Sequence, residues 1–336
     1  MVWIRRAVVF CFLMLIPIAG SGETVSLRFS LPPVLEALPI AFAQEWGLFE
    51  AHGVSVELIG ITDNQQRTAA LMTGNLDGMM EDVTRSILTA ATGADVVITS
   101  ASGSIPCEEQ FALALASPAS FRLDSFEEVL ESGYAIATIY RSDYEYLLDR
   151  LLADKTDGDV DSVRTMYFHD ILQMATWFGA QTLPVATLPE PYITYIGTYV
   201  PPTGGQPIPL VIHDDFSTTG VLPAVTLFQR SYVEDHPEAV EGFYAAYVEA
   251  IERINAAPRD ELIEIGLDIV LPLFFQGADA STITQDVLDV IPIPAFETPT
   301  ALPQATFDDV LTWMVEKGYL FDEPTYEQLT DFQFLP

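Results

Sequence analysis

From Val25 onward the chain repeats one local pattern: a short apolar strand, a helix, and another strand. The stretch PIAFAQEWGLFEAHGVSVEL at 39–58 shows how its joints are made. Ile40, Phe42, Ala43 and Trp46 give an apolar helical face that Gly47 interrupts; Leu48 and Phe49 add one more turn, which Gly53 closes. Glycine suits the position just past a helix end, where a side chain in the left-handed conformation is strained. Val54, Val56 and Leu58 then alternate with Ser55 and Glu57, the period of a half-buried strand. The same reading predicts strands over Val25–Ser30, 54–60, 76–80 and 95–100, with helices over 35–52, 64–73 and from about Asp82. Strands that alternate with helices imply a parallel sheet covered on both faces. In such sheets ligands sit beyond the carboxyl ends of the strands. Those ends are Leu31, Pro32 and Pro33; Thr62, Asp63 and Asn64; Glu81 and Asp82; and residues 102–109.

A second series of the same design follows the apolar segment 111–116. Strands are expected over 134–139, 164–168 and 183–187, with helices over 142–152 and 170–178. Its strand ends supply Tyr140, Arg141 and Ser142, then His169 and Asp170, then Glu190, Pro191 and Tyr192. PPTGGQPIP at 201–209 is a loop by its proline and glycine content, and the apolar strand 210–212 is expected to carry the chain back toward the first lobe. After Gly220 the chain turns helical. Val240, Phe243, Tyr244, Tyr247, Val248, Ile251 and Ile254 recur every three or four residues behind Pro237, and Phe307, Val310, Leu311, Met314 and Val315 repeat the pattern. These aromatic stripes are core positions.

A chain of 336 residues, 49% of them hydrophobic, has ample material for two lobes. Arg5 and Arg6, the apolar run 7–18 and the small residues Ala19, Gly20, Ser21 and Gly22 have the layout of a secretory signal peptide over 1–22. The run is short for a membrane span, so the mature chain is expected to be exported and soluble, with a retained N-terminal anchor as the alternative. Cys11 lies inside the run behind Phe10, away from a lipoprotein position, and Cys107 alone remains after cleavage. No intramolecular disulfide is then available. Lysine plus arginine total 14 against 48 acids, a net charge of −34, which disfavours nucleic acid and anionic lipid as partners. The acids are dispersed, as in a heavily solvated surface.

Catalytic signatures are missing. No G-x-x-x-x-G-K-[ST], G-x-S-x-G or H-E-x-x-H occurs. The four histidines, His52, His169, His213 and His236, are scattered singly, so neither His169-Asp170 nor His213-Asp214-Asp215 makes a metal site. Cys107 and His169 have no local support as a nucleophile and base. Glu81-Asp82 and Glu108-Glu109 read as solvated or helix-capping carboxylates. Neither a cofactor nor an enzymatic activity is expected.

LPIAFAQEWGLFEAHGVSVEL, followed by AALMTGNLDGMMED, closely resembles the N-terminal signature of the periplasmic substrate-binding proteins of ABC importers in the nitrate, sulfonate, taurine and thiamine-pyrimidine class. The family's A-x-E-x-G-L-F-x-x-x-G-[ILV]-x-V falls at 43–56 and its A-L-x-x-G-x-[ILV]-D at 70–77. Leu188-Pro189-Glu190-Pro191-Tyr192 and the helix within 232–254 are similar to later segments of the family. The loop 201–209, the proline-rich 271–303 and the acids Glu81 and Asp82, where the family often has small residues, depart from it. The resemblance implies an α/β, two-lobed type II periplasmic binding protein fold, each lobe a mostly parallel sheet flanked by helices. Lobe I would comprise 23–112 and 210–336, and lobe II 113–209, with crossings near 111–116 and 210–214. It further implies a monomeric, periplasmic or extracytoplasmic solute-binding protein that closes on a small molecule and delivers it to an ABC permease in the membrane. One rival is an enzyme like thiamine-pyrimidine synthase, which needs an anchoring lysine and a cysteine cluster, whereas only Lys155, Lys317 and one mature cysteine are present. A sensor-type binding protein is the other.

The strand-end rule makes Pro33, Asn64, Glu81, Asp82, Tyr140, Ser142, His169, Glu190 and Tyr192 the expected ligand-binding residues. Each has a structural alternative: Asp82 and Ser142 as helix caps, Pro33 as a loop former, Tyr140 and Tyr192 as packing aromatics. Because acids outnumber bases in this set, a neutral or cationic nitrogen heterocycle such as a thiamine-type pyrimidine is favoured over a sulfonate, taurine or nitrate. Helix N-termini near Asp82 and Ser142 keep the anion alternative open.

Overall fold

The computed structural model describes residues 25–105, 112–198, 206–216, 220–276, 289, 291 and 293–336. The expected signal segment, Cys107 and most of the loop 201–209 lie outside the described residues. The first series runs β1 (Val25–Ser30), α1 (Leu38–Glu45), α2 (Leu48–Ala51), β2 (Val54–Leu58), α3 (Asn64–Met72), β3 (Gly78–Glu81), α4 (Val83–Ala91) and β4 (Val96–Ser102). The second runs β5 (Ser104–Ile105), β6 (Leu113–Pro118), α5 (Phe126–Ser132), β7 (Ile136–Ile139), α6 (Asp143–Lys155), β8 (Thr165–Phe168), α7 (Ile171–Gly179), β9 (Val185–Pro189), α8 (Tyr192–Thr198) and β10 (Leu210–Asp214). The chain ends in β11 (Ala224–Gln229), α9 (Arg230–Asp235), α10 (Pro237–Ala256), α11 (Arg259–Phe274), β12 (Ala295–Phe296), α12 (Gln304–Glu316) and α13 (Tyr326–Leu329). No described helix is long and apolar enough to cross a membrane.

Two five-stranded sheets form two lobes, in the orders β2-β1-β3-β11-β4 and β10-β6-β9-β7-β8. The α-to-β joint is built as its glycines require, with Gly47 at φ 64° and Gly53 at φ 81°, and it delivers β2 parallel to β1 with Val54 opposite Val25. One strand in each sheet runs against the rest. β11 is antiparallel to β3 and β4, and β6 is antiparallel to β9 and β10. Each is the first sheet strand after the chain passes between lobes, so it enters from the direction opposite to its neighbours.

Two expectations are corrected here. The segment after Gly220 does not turn helical at once, because β11 intervenes at the heart of the first sheet. Val225, Leu227 and Phe228 are fully buried, and a strand covered on both faces shows no alternation to distinguish it. The strand at 210–214 belongs to the second sheet, where Leu210 pairs with Pro118, so the return to the first lobe falls after Asp214. The aromatic stripe of α10 is core: Phe243 packs on Phe29, Phe49 and Phe228 with ring centroids 5.0–5.7 Å apart.

Candidate functional site

β3 and α3 end against one another where Glu81 meets Arg67, both almost fully buried. Arg67 Nη2 donates to the two Glu81 carboxylate oxygens at 2.9 Å each and to Asn64 Oδ1 at 3.3 Å. Asn64 and Arg67 stand three residues apart and so share a face of α3. Arg67 Nε and Nη1 are buried without a hydrogen-bond partner among the described residues. Asp82, the cap of α4, accepts from Arg85 N at 2.7 Å.

The second lobe reaches the same place through the start of α6. Asp143 accepts from Val83 N at 3.2 Å, Thr84 N at 3.0 Å and Thr84 Oγ1 at 2.5 Å, so a carboxylate of one lobe occupies the helix N-terminus of the other. Ser142, the cap of α6, accepts from Tyr144 N at 3.2 Å and donates to Ile139 O at 2.7 Å. Around these residues lies a cavity between the lobes, also lined by Pro32, Glu36 and Tyr144. Burial pushes the Asp143 carboxyl up to about 6. Asp82 is held well above the usual carboxylate range by burial and then by the neighbouring Asp143 and Glu81. Burial also raises Glu36, which accepts from Ser104 Oγ at 2.9 Å.

Further contacts tie the lobes together around this cavity. Thr62 Oγ1 donates to Asp170 at 2.8 Å, and Asn64 N to the His169 carbonyl at 3.1 Å. On the C-terminal side, Trp313 Nε1 donates to Asp149 at 2.9 Å and the Tyr319 hydroxyl to Glu145 at 2.5 Å.

Of the residues expected from the strand ends, Asn64, Glu81, Asp82 and Ser142 line the cavity. Pro32 lines it where Pro33 was expected. Tyr140 and His169 line a different cavity farther along the lobe boundary. Glu190 accepts from Thr194 N at 3.0 Å and Thr194 Oγ1 at 2.8 Å, and burial raises its carboxyl above the usual range. Tyr192 is buried, and its hydroxyl donates to the Phe274 carbonyl at 2.9 Å. Sequence reasoning passed over Arg67, Asp143 and Glu36. Arg67 had a usable signal, its place one turn beyond Asn64 on a helix that opens at a strand end; Asp143 had another, its position next to Ser142.

The sequence matches no family model and no curated protein. Solved structures do match. The alkanesulfonate-binding protein SsuA from Xanthomonas axonopodis pv. citri, bound to MOPS, aligns at TM-score 0.71 and 15% identity over 93% of this chain and 100% of that one. The periplasmic nitrate-binding protein NrtA from Synechocystis PCC 6803 aligns at TM-score 0.66 and 13% identity over 93% and 87%. A Candida albicans gene product described as having the generic periplasmic binding protein fold aligns at TM-score 0.56 and 11% identity over 93% and 97%. With two five-stranded α/β lobes facing each other across a cavity, the chain has the periplasmic binding protein fold.

Proposed function

We propose that the chain is an extracytoplasmic solute-binding protein, a monomer that hands a small molecule to the membrane permease of an ABC importer and catalyses no reaction. The observation that carries this reading is the cavity between the lobes, walled by polar groups of both, with two unpartnered Arg67 donors at its edge. A ligand that touches both walls is bound only when the lobes meet, so it draws the population toward the shut form. The division proposed from sequence is kept with its second crossing moved past Asp214. The proposed ligand contacts remain Asn64, Glu81, Asp82 and Ser142, to which Arg67 and Glu36 are added.

The charge of the wall favours a neutral or cationic nitrogen heterocycle such as a thiamine-type pyrimidine. Glu36, Asp82 and Asp143 bring carboxyl groups, and Asp143 already fills the N-terminus of α4, where a free anion would otherwise sit. An amine or ring N–H satisfies such groups, while a ring nitrogen accepts from Arg67. An alkyl sulfonate or nitrate is the second reading, favoured by the free Arg67 donors and by the ligands named for two of the similar structures. Calorimetric titration with an aminopyrimidine and with an alkyl sulfonate separates the two, and small-angle scattering with the bound ligand tests closure. Tight binding of a ligand with no fall in the radius of gyration would refute the closure mechanism.

A further inference from the structure

Beside the cleft lies a second cavity, walled by α3 and α4 of the first lobe and by Tyr140, Arg141 and His169 of the second. In a chain with 48 acids and 14 lysines and arginines, the described residues of this wall include two arginines and a histidine and no carboxylate. Arg85 is 5% exposed; its Nη2 donates to Thr68 Oγ1 at 3.3 Å, while its Nε, 3.7 Å from a Glu81 oxygen, makes no hydrogen bond. Arg141 Nε and His169 Nδ1 are likewise buried without partners among the described residues. The Arg141 guanidinium is held between two rings, 4.5 Å from the Tyr319 centroid and 5.0 Å from that of Tyr140. Its orientation is therefore fixed before anything binds. Of the acids around it, Glu81 accepts from Arg67 and is ion-paired with Arg85, Glu145 accepts from Arg141 N and Tyr319, and Asp170 accepts from Thr62 and Gln173 N, so Arg141 and His169 have none of these carboxylates on their side chains.

We propose that this outer cavity is a binding site for a multivalent oxyanion, a phosphate or sulfate group, held by Arg85 from one lobe and by Arg141 and His169 from the other. Buried guanidinium donors without partners are costly, and the planar fork of arginine matches a tetrahedral oxyanion better than a halide. The hydroxyls of Thr68 and Tyr140 on the same wall add donors. Since its ligands come from both lobes, the bound group stabilises the arrangement in which they meet, whatever solute occupies the cleft.

The test is titration of the full chain with inorganic phosphate, sulfate and methyl phosphate, in sodium chloride at matched ionic strength. Saturable binding with one site and a melting temperature above that in chloride alone are expected. Arg141→Gln and His169→Gln should each weaken binding by about tenfold or more, the worth of a charge-assisted hydrogen bond. Arg253→Gln, at an exposed arginine far from this wall, should leave it unchanged. Binding of all three probes assigns a free oxyanion, and binding of methyl phosphate alone assigns a phosphomonoester; both support the site. An equal rise in chloride, or equal binding by both cavity variants, would mean that salt merely screens the acidic surface, and would overturn the proposal. Should Arg141→Gln lose the fold, as judged by circular dichroism in chloride, His169→Gln decides alone.

Discussion

Asp143 and Thr84, 59 residues apart in sequence and on opposite lobes, are joined by two hydrogen bonds, from Thr84 N at 3.0 Å and Thr84 Oγ1 at 2.5 Å. Asp143→Ala removes both, and the bond from Val83 N, leaving buried donors at a helix end. The expected loss is about 2–3 kcal/mol of stability, read as a fall in urea midpoint at unchanged m-value, together with a larger radius of gyration of the ligand-free protein.

The same carboxyl gives a signed pH dependence. Its folded value is raised from 3.8 to about 6, so the folded state holds its proton more tightly than the unfolded chain does. The stability this provides is complete below about pH 4 and is lost as the pH rises through about 6, a change on the order of 3 kcal/mol. Asp82 and Glu36, also raised, act in the same sense. Urea titrations between pH 4 and 7 should show a shallower decline for Asp143→Asn than for the wild type. Parallel curves would remove Asp143 from the account.

Breaking the Arg67–Glu81 pair should be costly because either partner left alone is a buried charge. Glu81→Gln is expected to destabilise by roughly 3 kcal/mol in chemical denaturation. Arg67→Lys keeps the charge but loses the fork. It should weaken binding of the cleft ligand by about tenfold or more in calorimetry.

Close backbone approach gives a prediction independent of function. A Cβ on Gly242 in α10 would stand 2.5 Å from the His52 carbonyl oxygen, whereas one on Gly266 in α11 would meet open space. Gly242→Ala should cost about 1–3 kcal/mol and lower the melting temperature by several degrees. Gly266→Ala should hold or raise it, by up to about 1 kcal/mol of helix propensity.

Much of the architecture was legible because it follows from local physics. Helical and strand periods, the glycines at 47 and 53, and the capping residues Asp63, Asp82, Ser142 and Asp170 each act within a few residues of chain. That is why β1, β2, α3, α4, α6, α7 and α10 fall close to where the sequence puts them. β11 escaped because complete burial erases the alternation that marks a strand, and β10 because a strand's period does not say which sheet it will join.

The strand-end rule brings Asn64, Glu81, Asp82 and Ser142 to the wall of the cavity between the lobes, because their positions are fixed by single βα joints. It scattered the rest. Tyr140 and His169 face another cavity, and Tyr192 is anchored to α11, because the angle at which two lobes meet decides which strand ends share a space. The sequence by itself determined the two-lobed fold class, most of the helices and strands within it and the net negative charge, since these depend on composition and on neighbours along the chain. Only the tertiary structure decided that Asp143 fills the end of α4, that Arg67 is left with free donors, and that Arg85, Arg141 and His169 gather in one acid-free wall. Those are relations between residues 14 to 84 positions apart, set by packing of two lobes rather than by any local pattern.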